Sequence, residues 1–433
     1  MSDAAPEVPF REAVRAWLRI AASSFGGPAG QIAVIHRVVV EERRWISEAH
    51  FVHALSYCML LPGPEAQQLA TYLGWRLHGT RGGLAAGLLF VAPGFLTILA
   101  LSLLYHEFRS TGLFTALFFG LKPAVLPIVA LAVPRLVRRT GGTALDWTLS
   151  ALAFLAIFAL RAPFPLILAA AALVGIVSRP RGAHSPTRRP PGPFPGAAIV
   201  RAAALWLAIW LVPVGLLIAV VGPGHVLARE AVFFGKAALV TFGGAYAVLG
   251  YVAQRAVESF GWLSPAEMLD GLGLAETTPG PLIMVVQFVG FLGAARNAGG
   301  LDPVVAGVIG SVVTAWVTFA PCFLFIFAGA PAIERLLDHP TLGAALRGVS
   351  AAVVGVVVNL ALWFALHTFF GAVDTRTWGP FSLPLPDPST LSFGSLMVAL
   401  VASAILARTG RALAPALGGG ALVGALLYLA GLR

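Results

Sequence analysis

Hydrophobic residues run along this chain in long stretches that are separated by arginines, glycines and prolines. The stretches do not alternate polar and apolar positions, so the pattern predicts helices and not the strands of a β-barrel. About 20 helical residues span the hydrocarbon core of a bilayer, and many stretches approach that length. The pattern therefore predicts an all-α polytopic membrane protein. The predicted segments are residues 11–36, 48–61, 65–78, 84–105, 113–133, 145–160, 163–177, 200–221, 229–253, 265–275, 281–295, 304–328, 342–366, 391–407 and 413–429.

The composition excludes a soluble protein. Of the 433 residues, 58% are hydrophobic and only 11% are charged, whereas soluble domains carry roughly 25% charged residues. The net charge of +10 would suggest nucleic-acid binding in a soluble protein, but here it is typical of cytoplasmic loops that face anionic lipid. We therefore expect the lipid bilayer as a partner and no nucleic acid. Cys58 and Cys322 both lie in apolar runs, which leaves no disulfide framework and no zinc site.

An internal repeat is the most informative feature of the sequence. A shift of 217 residues aligns SFGGP at 24–28 with TFGGA at 241–245, and Pro-Gly-Pro at 62–64 with Pro-Gly-Pro at 279–281. Between residues 25 and 64, 12 of 40 positions are identical at this shift. Chance matching would give only a few identities, so the chain contains two homologous repeats.

The alignment continues at a shift of 228, which pairs Pro93 with Pro321 and Gly120 with Gly348. Between the repeats lies a stretch rich in proline and arginine that cannot form a packed core. The predicted division is an N-terminal transporter repeat at 1–178, a Pro/Arg-rich cytoplasmic linker at 179–199 and a C-terminal transporter repeat at 200–433.

Each repeat contains two short segments that meet at Pro-Gly-Pro. Proline blocks helix continuation, so each pair is predicted to be a helix pair broken within the membrane. If each broken pair counts as one crossing, seven crossings separate the starts of the repeats, and an odd number inverts the second repeat. The resulting loops hold 18 arginines inside and 9 outside, as the positive-inside rule requires. We expect an inverted repeat with a cytoplasmic N-terminus, the architecture of many secondary transporters.

The candidate substrate-binding groups are the two lysines inside apolar segments, the backbone N–H groups at the helix breaks and the polar side chains beside those breaks. Lys122 and Lys236 lie in such segments, where a cation costs roughly 2.5–3.5 kcal/mol and normally serves a polar cavity. Snorkelling, or pairing with a buried carboxylate, is the alternative. Broken helices expose free N–H groups that favour an anion, although the same glycines would also permit close helix packing. The predicted substrate-binding residues are Lys122, Lys236, Gly26, Gly27, Gly243, Gly244, Gly63, Gly280, Gln67, Thr277 and Thr278.

Carboxylates near the breaks are candidates for binding a coupling proton. Glu65 follows the first Pro-Gly-Pro and Glu276 precedes the second, with Asp270 as a third candidate. A carboxyl group buried in a transporter can carry a proton, whereas Glu65 in the first turn of a helix could instead serve as a cap. The sequence contains no nucleophile elbow, His-Glu-x-x-His motif or Cys/His cluster, so we expect no catalytic residue, no metal and no enzyme activity.

These motifs resemble a known family. SFGGP at 24–28 and LPGPEAQQLATYLGW at 61–75 resemble the first half of the chromate ion transporter family. KAALVTFGGAYAVL at 236–249, WLSPAEMLDGLGLAETTPGP at 262–281 and VQFVGFLGA at 286–294 resemble its second half. The chain is therefore similar to the long, two-domain form of that family.

The resemblance implies export of chromate across the bacterial cytoplasmic membrane, driven by the proton gradient, which gives chromate resistance. The implied partners are chromate or a sulfate-like oxyanion, a coupling proton and, in some assemblies, a second copy of the chain; no cofactor is implied. Transport or import of sulfate or another oxyanion is the main alternative, because the same residues would serve it. An intramembrane enzyme or a structural membrane protein is a further alternative, and either would tolerate the loss of both lysines.

Overall fold

The computed structural model describes residues 8–25, 27–140, 142–178, 196–242, 245–330, 340–410 and 412–432. Helices dominate these residues, and the sheet that they contain is a single two-stranded hairpin. In chain order the helices are α1 Phe10–Ala22, α2 Gly27–His36, α3 Glu48–Leu60, α4 Glu65–Phe108, α5 Gly112–Thr140, α6 Ala144–Phe158, α7 Phe164–Val177, α8 Gly196–Val221, α9 Val226–Leu239, α10 Ala245–Gln254, α11 Pro265–Thr277, α12 Val285–Arg296, α13 Pro303–Gly329, α14 Pro340–Phe369, α15 Phe393–Arg408 and α16 Leu413–Leu429.

The predicted all-α membrane class is confirmed. Among the described residues, five helices (α4, α5, α8, α13 and α14) are long and apolar enough to cross a bilayer. The Pro-Gly-Pro elements separate α3 from α4 and α11 from α12, as predicted. The hairpin joins α14 to α15 and was not predicted; it pairs β1 Val373–Trp378 with β2 Phe381–Pro386 in antiparallel register.

Several predicted segment boundaries are wrong. Segments 11–36 and 229–253 are each two helices, because the chain leaves the helix after Ala22 and after Leu239. Conversely, one assigned helix, α4, contains both segments 65–78 and 84–105, although its backbone is non-helical at His78 and Gly79. Glycine tolerates the positive φ of +60° that this kink requires. The predicted linker lies outside the described residues at 179–195, and its last four residues, 196–199, already belong to α8.

The repeat seen in the sequence recurs in the backbone. Both α2 and α10 end in a π-helical turn, at Arg37–Glu42 and at Arg255–Ser259. After each turn, the backbone N–H of a tryptophan donates a hydrogen bond back to the turn. Trp45 donates to the Val39 carbonyl (2.9 Å), and Trp262 donates to the Ala256 carbonyl (2.8 Å). Isolated π turns are frequent at functional sites, and here the same irregularity appears at equivalent positions of both repeats.

The chain packs into two compact units that do not coincide with the repeats. The first contains described residues within 1–99, 179–245 and 278–344, and the second those within 100–178, 246–277 and 345–433. Each unit therefore takes elements from both halves of the sequence. The repeat boundaries at 1–178, 179–199 and 200–433 stay a prediction, because compactness follows packing and not sequence homology.

Within each unit, helices pack closely against one another. In the first, Trp206 of α8 stacks on Phe323 and Phe327 of α13, with ring centroids 5.5 and 5.0 Å apart. In the second, α5 approaches α16 so closely that a Cβ on Gly120 would lie 2.8 Å from the Cα of Ala421. Small residues at such crossings let helix backbones approach each other in membranes.

Candidate functional site

The two Pro-Gly-Pro breaks are held by reciprocal backbone hydrogen bonds in the first unit. The Gly63 N–H donates to the Thr241 carbonyl (2.8 Å), and the Gly280 N–H donates to the Ser24 carbonyl (2.9 Å). The shift of 217 relates Gly63 to Gly280 and Ser24 to Thr241. Contacts exchanged in this way are the signature of a two-fold relation. The break of each repeat is therefore fixed by the Phe-Gly-Gly region of the other.

A second pair of contacts has the same symmetry. A Cβ on Gly280 would lie 2.9 Å from the Cα of Gly94, and a Cβ on Gly63 would lie 2.9 Å from Sγ of Cys322. The shift of 228 relates Gly94 to Cys322. Both break glycines also have positive φ, +126° at Gly63 and +100° at Gly280. Close approach and conformation together require glycine at both positions.

These bonds bear on the predicted anion site. In this conformation, the N–H groups of Gly63 and Gly280 already donate to carbonyls and are not free. The Gly280 carbonyl accepts a further bond from Nε2 of Gln31 (2.5 Å). An oxyanion would therefore have to replace the Ser24 and Thr241 carbonyls to use these donors. The packing alternative explains the glycines in the observed state, and their role in substrate binding stays a prediction.

The other predicted glycines are placed differently. Gly27 opens α2 at a φ of +69°, and a Cβ there would meet nothing within 4 Å. Gly26, Gly243 and Gly244 lie outside the described residues.

Buried amide side chains follow the first break along α4. Nε2 of Gln67 donates to Oγ1 of Thr71 (3.1 Å), and Nε2 of Gln68 donates to the Pro62 carbonyl (2.7 Å). Their Oε1 atoms are buried and have no hydrogen-bond partner among the described residues. Glu65 is buried in the first turn of the same helix. This short stretch therefore places a carboxyl group and two amides beside the break.

Lys122 forms an ion pair in the second unit. Its Nζ lies 3.1 Å from Oδ1 of Asp270, whose side chain is 5% exposed, and the Tyr105 hydroxyl donates to Oδ2 (2.7 Å). One turn earlier on α11, Glu267 accepts from Arg109 (2.7 Å). The predicted cation is therefore partly buried and paired, as the alternative interpretation required. An anion that approached Lys122 would compete with Asp270.

The remaining predicted residues have the following surroundings within their own units. Lys236 is exposed in the last turn of α9 and forms no ion pair with a described residue. The Tyr246 hydroxyl donates to Oε1 of Glu276 (2.6 Å). Thr277 is exposed and donates to the Leu274 carbonyl (2.8 Å), whereas Thr278 is buried.

Several of the partners of the predicted residues are far from them in the sequence. Tyr105 lies 165 residues before Asp270, and Gln31 lies 249 residues before Gly280, so no local pattern connects them. For Gln31 the sequence does contain one indication. Gln31 is an amide in an otherwise apolar run near a helix break, and such a buried amide needs a hydrogen-bond partner.

Comparison with known proteins identifies the family. The chromate transporter family model matches residues 11–176 and 229–425, which is most of both repeats. The chain belongs to the chromate transporter family. It is 34% identical over 358 residues to the chromate transport protein of Pseudomonas aeruginosa, covering 81% of this chain and 80% of that protein. It is 29% identical over 435 residues to the chromate transport protein of Cupriavidus metallidurans, covering 98% and 94%. The comparison with solved structures gives no match.

Membership of the chromate transporter family makes the chain a multi-pass membrane transport protein, in agreement with its apolar helices. The two matched regions fall on either side of the predicted linker, so the family match and the internal repeat describe the same two halves. The resemblance drawn from the sequence motifs is thereby confirmed.

Proposed function

We propose that this protein exports chromate across the bacterial cytoplasmic membrane, driven by the proton-motive force, and so gives chromate resistance. The reciprocal hydrogen bonds between the two breaks support an alternating-access mechanism. Two repeats related by a two-fold axis can exchange roles around a central site, which is how inverted-repeat transporters alternate their access. The exchange of Ser24 and Thr241 as acceptors supports that relation. The family and its curated relatives support chromate as the substrate.

The electrical part of the proton-motive force favours export of this substrate. Chromate is a dianion, and moving two charges across the membrane changes its energy by about 4.6 kcal/mol for each 100 mV. In a cell whose interior is negative, this drives the anion outward by about three orders of magnitude in concentration ratio. A proton that moved in the opposite direction would add the pH component. Glu65 and Glu276 are the residues that the sequence predicts to bind such a proton.

The proposed substrate site uses cations and the groups at the breaks. We assign Lys122 to the anion when it separates from Asp270, because a free ammonium group in an apolar segment attracts a tetrahedral dianion. We also propose Lys236, Gln67, Thr277 and Thr278 as anion-binding residues, together with the glycines of the Phe-Gly-Gly and Pro-Gly-Pro elements. Binding at the break requires that Gly63 and Gly280 exchange their carbonyl partners for anion oxygens.

We propose an inverted topology with a cytoplasmic N-terminus and linker, in line with the arginine distribution. A homodimer is compatible with this arrangement, and the oligomeric state of the purified protein in detergent would test it.

The decisive experiment measures radiolabelled chromate and sulfate flux in proteoliposomes, with and without an imposed pH gradient and membrane potential. We expect electrogenic chromate flux that an imposed gradient drives. Lys122→Met and Lys236→Met should abolish flux while the protein still inserts, and Arg408→Met, which changes an exposed arginine at the end of α15, should not. Sulfate flux without chromate flux would favour the alternative oxyanion transporter. The absence of both fluxes would refute transport of these anions.

A further inference from the structure

Glu230 is a buried carboxyl group that neither the motifs nor the pairing described above accounts for. It lies on α9, its exposed fraction is 0%, and it falls inside an apolar segment. Neither Oε1 nor Oε2 has a hydrogen-bond partner among the residues that the structure describes. Buried polar groups in proteins almost always have partners, so a carboxyl group with both oxygens unpartnered requires an explanation.

A glycine on a neighbouring helix lies close to the Glu230 carboxyl group. Helices α8, α12 and α13 pack against α9, and a Cβ on Gly310 of α13 would lie 3.0 Å from Oε2 of Glu230. Thr314 lies one turn beyond Gly310 on the same face of α13. Its Oγ1 and Oε1 of Gln287 on α12 are also buried without a partner in the described part of the chain. Unsatisfied oxygen atoms therefore occur on all three of the helices α9, α12 and α13.

No countercharge is available to an ionised Glu230 within the described residues. On the helices packed against α9, the charged side chains are Arg201 and Arg296, which are both exposed, and Asp302 at the start of α13 is exposed as well. Cys322 of α13 is buried about three turns beyond Gly310. On α9 itself, Arg229 and Lys236 are exposed.

An ionised carboxylate cannot be accommodated at such a position. Transfer of an isolated carboxylate from water to an apolar interior costs far more than transfer of the neutral acid, so the group takes up a proton instead. The other buried candidates differ in this respect. Glu276 has a partner at one oxygen, because the Tyr246 hydroxyl donates to its Oε1, although its Oε2 is unpartnered among the described residues. Glu65 lies in the first turn of α4, where the helix dipole favours a negative charge.

We propose that Glu230 is the residue that binds the coupling proton. This inference rests on the proposed function as a proton-coupled oxyanion transporter. The carboxyl group is protonated in the observed conformation, where α9 and α13 enclose it. When alternating access exposes it, the O–H bond breaks and the proton passes to water on that side; a proton from the opposite side restores the bond. The shift of 217 places Ala13 at the equivalent position of the first repeat, so the first repeat has no carboxyl group there.

The test compares Glu230→Gln with the wild-type protein in proteoliposomes. If one proton moves per chromate, each unit of imposed pH gradient should change the wild-type chromate accumulation ratio about tenfold. We expect Glu230→Gln to lose this response completely while it retains chromate/chromate exchange and the response to membrane potential. Glu12→Gln is the matched control, because Glu12 is adjacent to the equivalent position in the first repeat and forms a surface ion pair with Arg43. It should keep the tenfold response.

The outcomes separate the two proposals. Absence of chromate exchange in the wild-type protein would refute the proposed function itself. A wild-type protein that exchanges chromate without any pH response would refute the proton coupling that belongs to the proposed function. A Glu230→Gln variant that keeps the tenfold response would overturn the assignment of Glu230 alone.

An infrared spectrum gives an answer that does not depend on transport. The carbonyl stretch of a buried protonated carboxyl group should be present in the wild-type protein, shift in deuterated water only after slow exchange, and be absent in Glu230→Gln. A spectrum that Glu230→Gln leaves unchanged would also overturn the assignment.

Discussion

The pairing of Lys122 with Asp270 allows a substrate-binding cation to be distinguished from a structural one. At 3.1 Å the two charges attract by about 5 kcal/mol at an effective dielectric constant of 20. Removal of one member of a buried ion pair costs about 3–5 kcal/mol, because the other charge stays buried without a partner. The Lys122 side chain is 25% exposed, and Asp270 keeps its bond from Tyr105. We therefore expect Lys122→Met to cost about 3 kcal/mol of unfolding free energy, at the lower end of this range.

The double variant Lys122→Met/Asp270→Asn removes both charges. Its stability should return to within about 1–2 kcal/mol of the wild-type value, since a buried pair replaced by neutral groups is often close to neutral in energy. Unfolding in detergent measures this recovery, and chromate flux in proteoliposomes measures transport. If Lys122 binds the anion, the double variant regains stability and still does not transport.

The pair formed by Arg109 and Glu267 provides a matched control on the same helix. The Arg109 side chain is 42% exposed, whereas that of Glu267 is 11% exposed and also accepts the Ser264 N–H. Arg109→Met/Glu267→Gln should therefore cost about 1–2 kcal/mol and leave flux unchanged. Recovery of transport together with stability in Lys122→Met/Asp270→Asn would refute a substrate-binding role for Lys122 and leave only its pairing with Asp270.

Gly280→Ala should destabilise the protein by about 2–5 kcal/mol in thermal unfolding, since its Cβ would meet a facing backbone at a strained φ; Gly27→Ala, which meets nothing within 4 Å, should cost only about 1–2 kcal/mol. Asp146→Ala removes a buried capping box and an ion pair, so it should cost at least about 1–2 kcal/mol in the same assay. An impermeant maleimide should label Arg44→Cys and Ser185→Cys from opposite faces of the membrane; labelling from one face would exclude the inverted topology. Native Cys58 and Cys322 are buried and should not react.

The sequence is sufficient to predict those features that depend on local chemistry. Proline has no N–H and cannot continue a helix, so Pro-Gly-Pro predicts both breaks correctly. The apolar stretches predict the long helices, with boundaries that differ mainly where glycine permits a kink, as at Gly79. The identity of matched positions predicts the repeat, which the backbone then reproduces down to the two π-helical turns.

Features that depend on distant partners could not be predicted in this way. Nothing near Lys122 in the sequence indicates Asp270, which is 148 residues away and reached by the packing of α5 against α11. Glu230 is the second residue of the predicted segment 229–253, and only the fold shows that it is buried without a partner among the described residues. Each break, taken with its own repeat alone, predicts free N–H groups. The carbonyls that occupy them belong to the other repeat.

Because each compact unit contains segments from both halves of the chain, the protein cannot complete either unit early in biosynthesis. The first unit needs residues 278–344 to join those before residue 99. At synthesis rates of about 5–20 residues per second, this interval is roughly 10–40 s. During that time, the Ser24 carbonyl and the Gly63 N–H are already in the membrane while their partners have not all been made. The N-terminal helices therefore form an incomplete structure until the second half of the chain supplies the remaining segments of the unit.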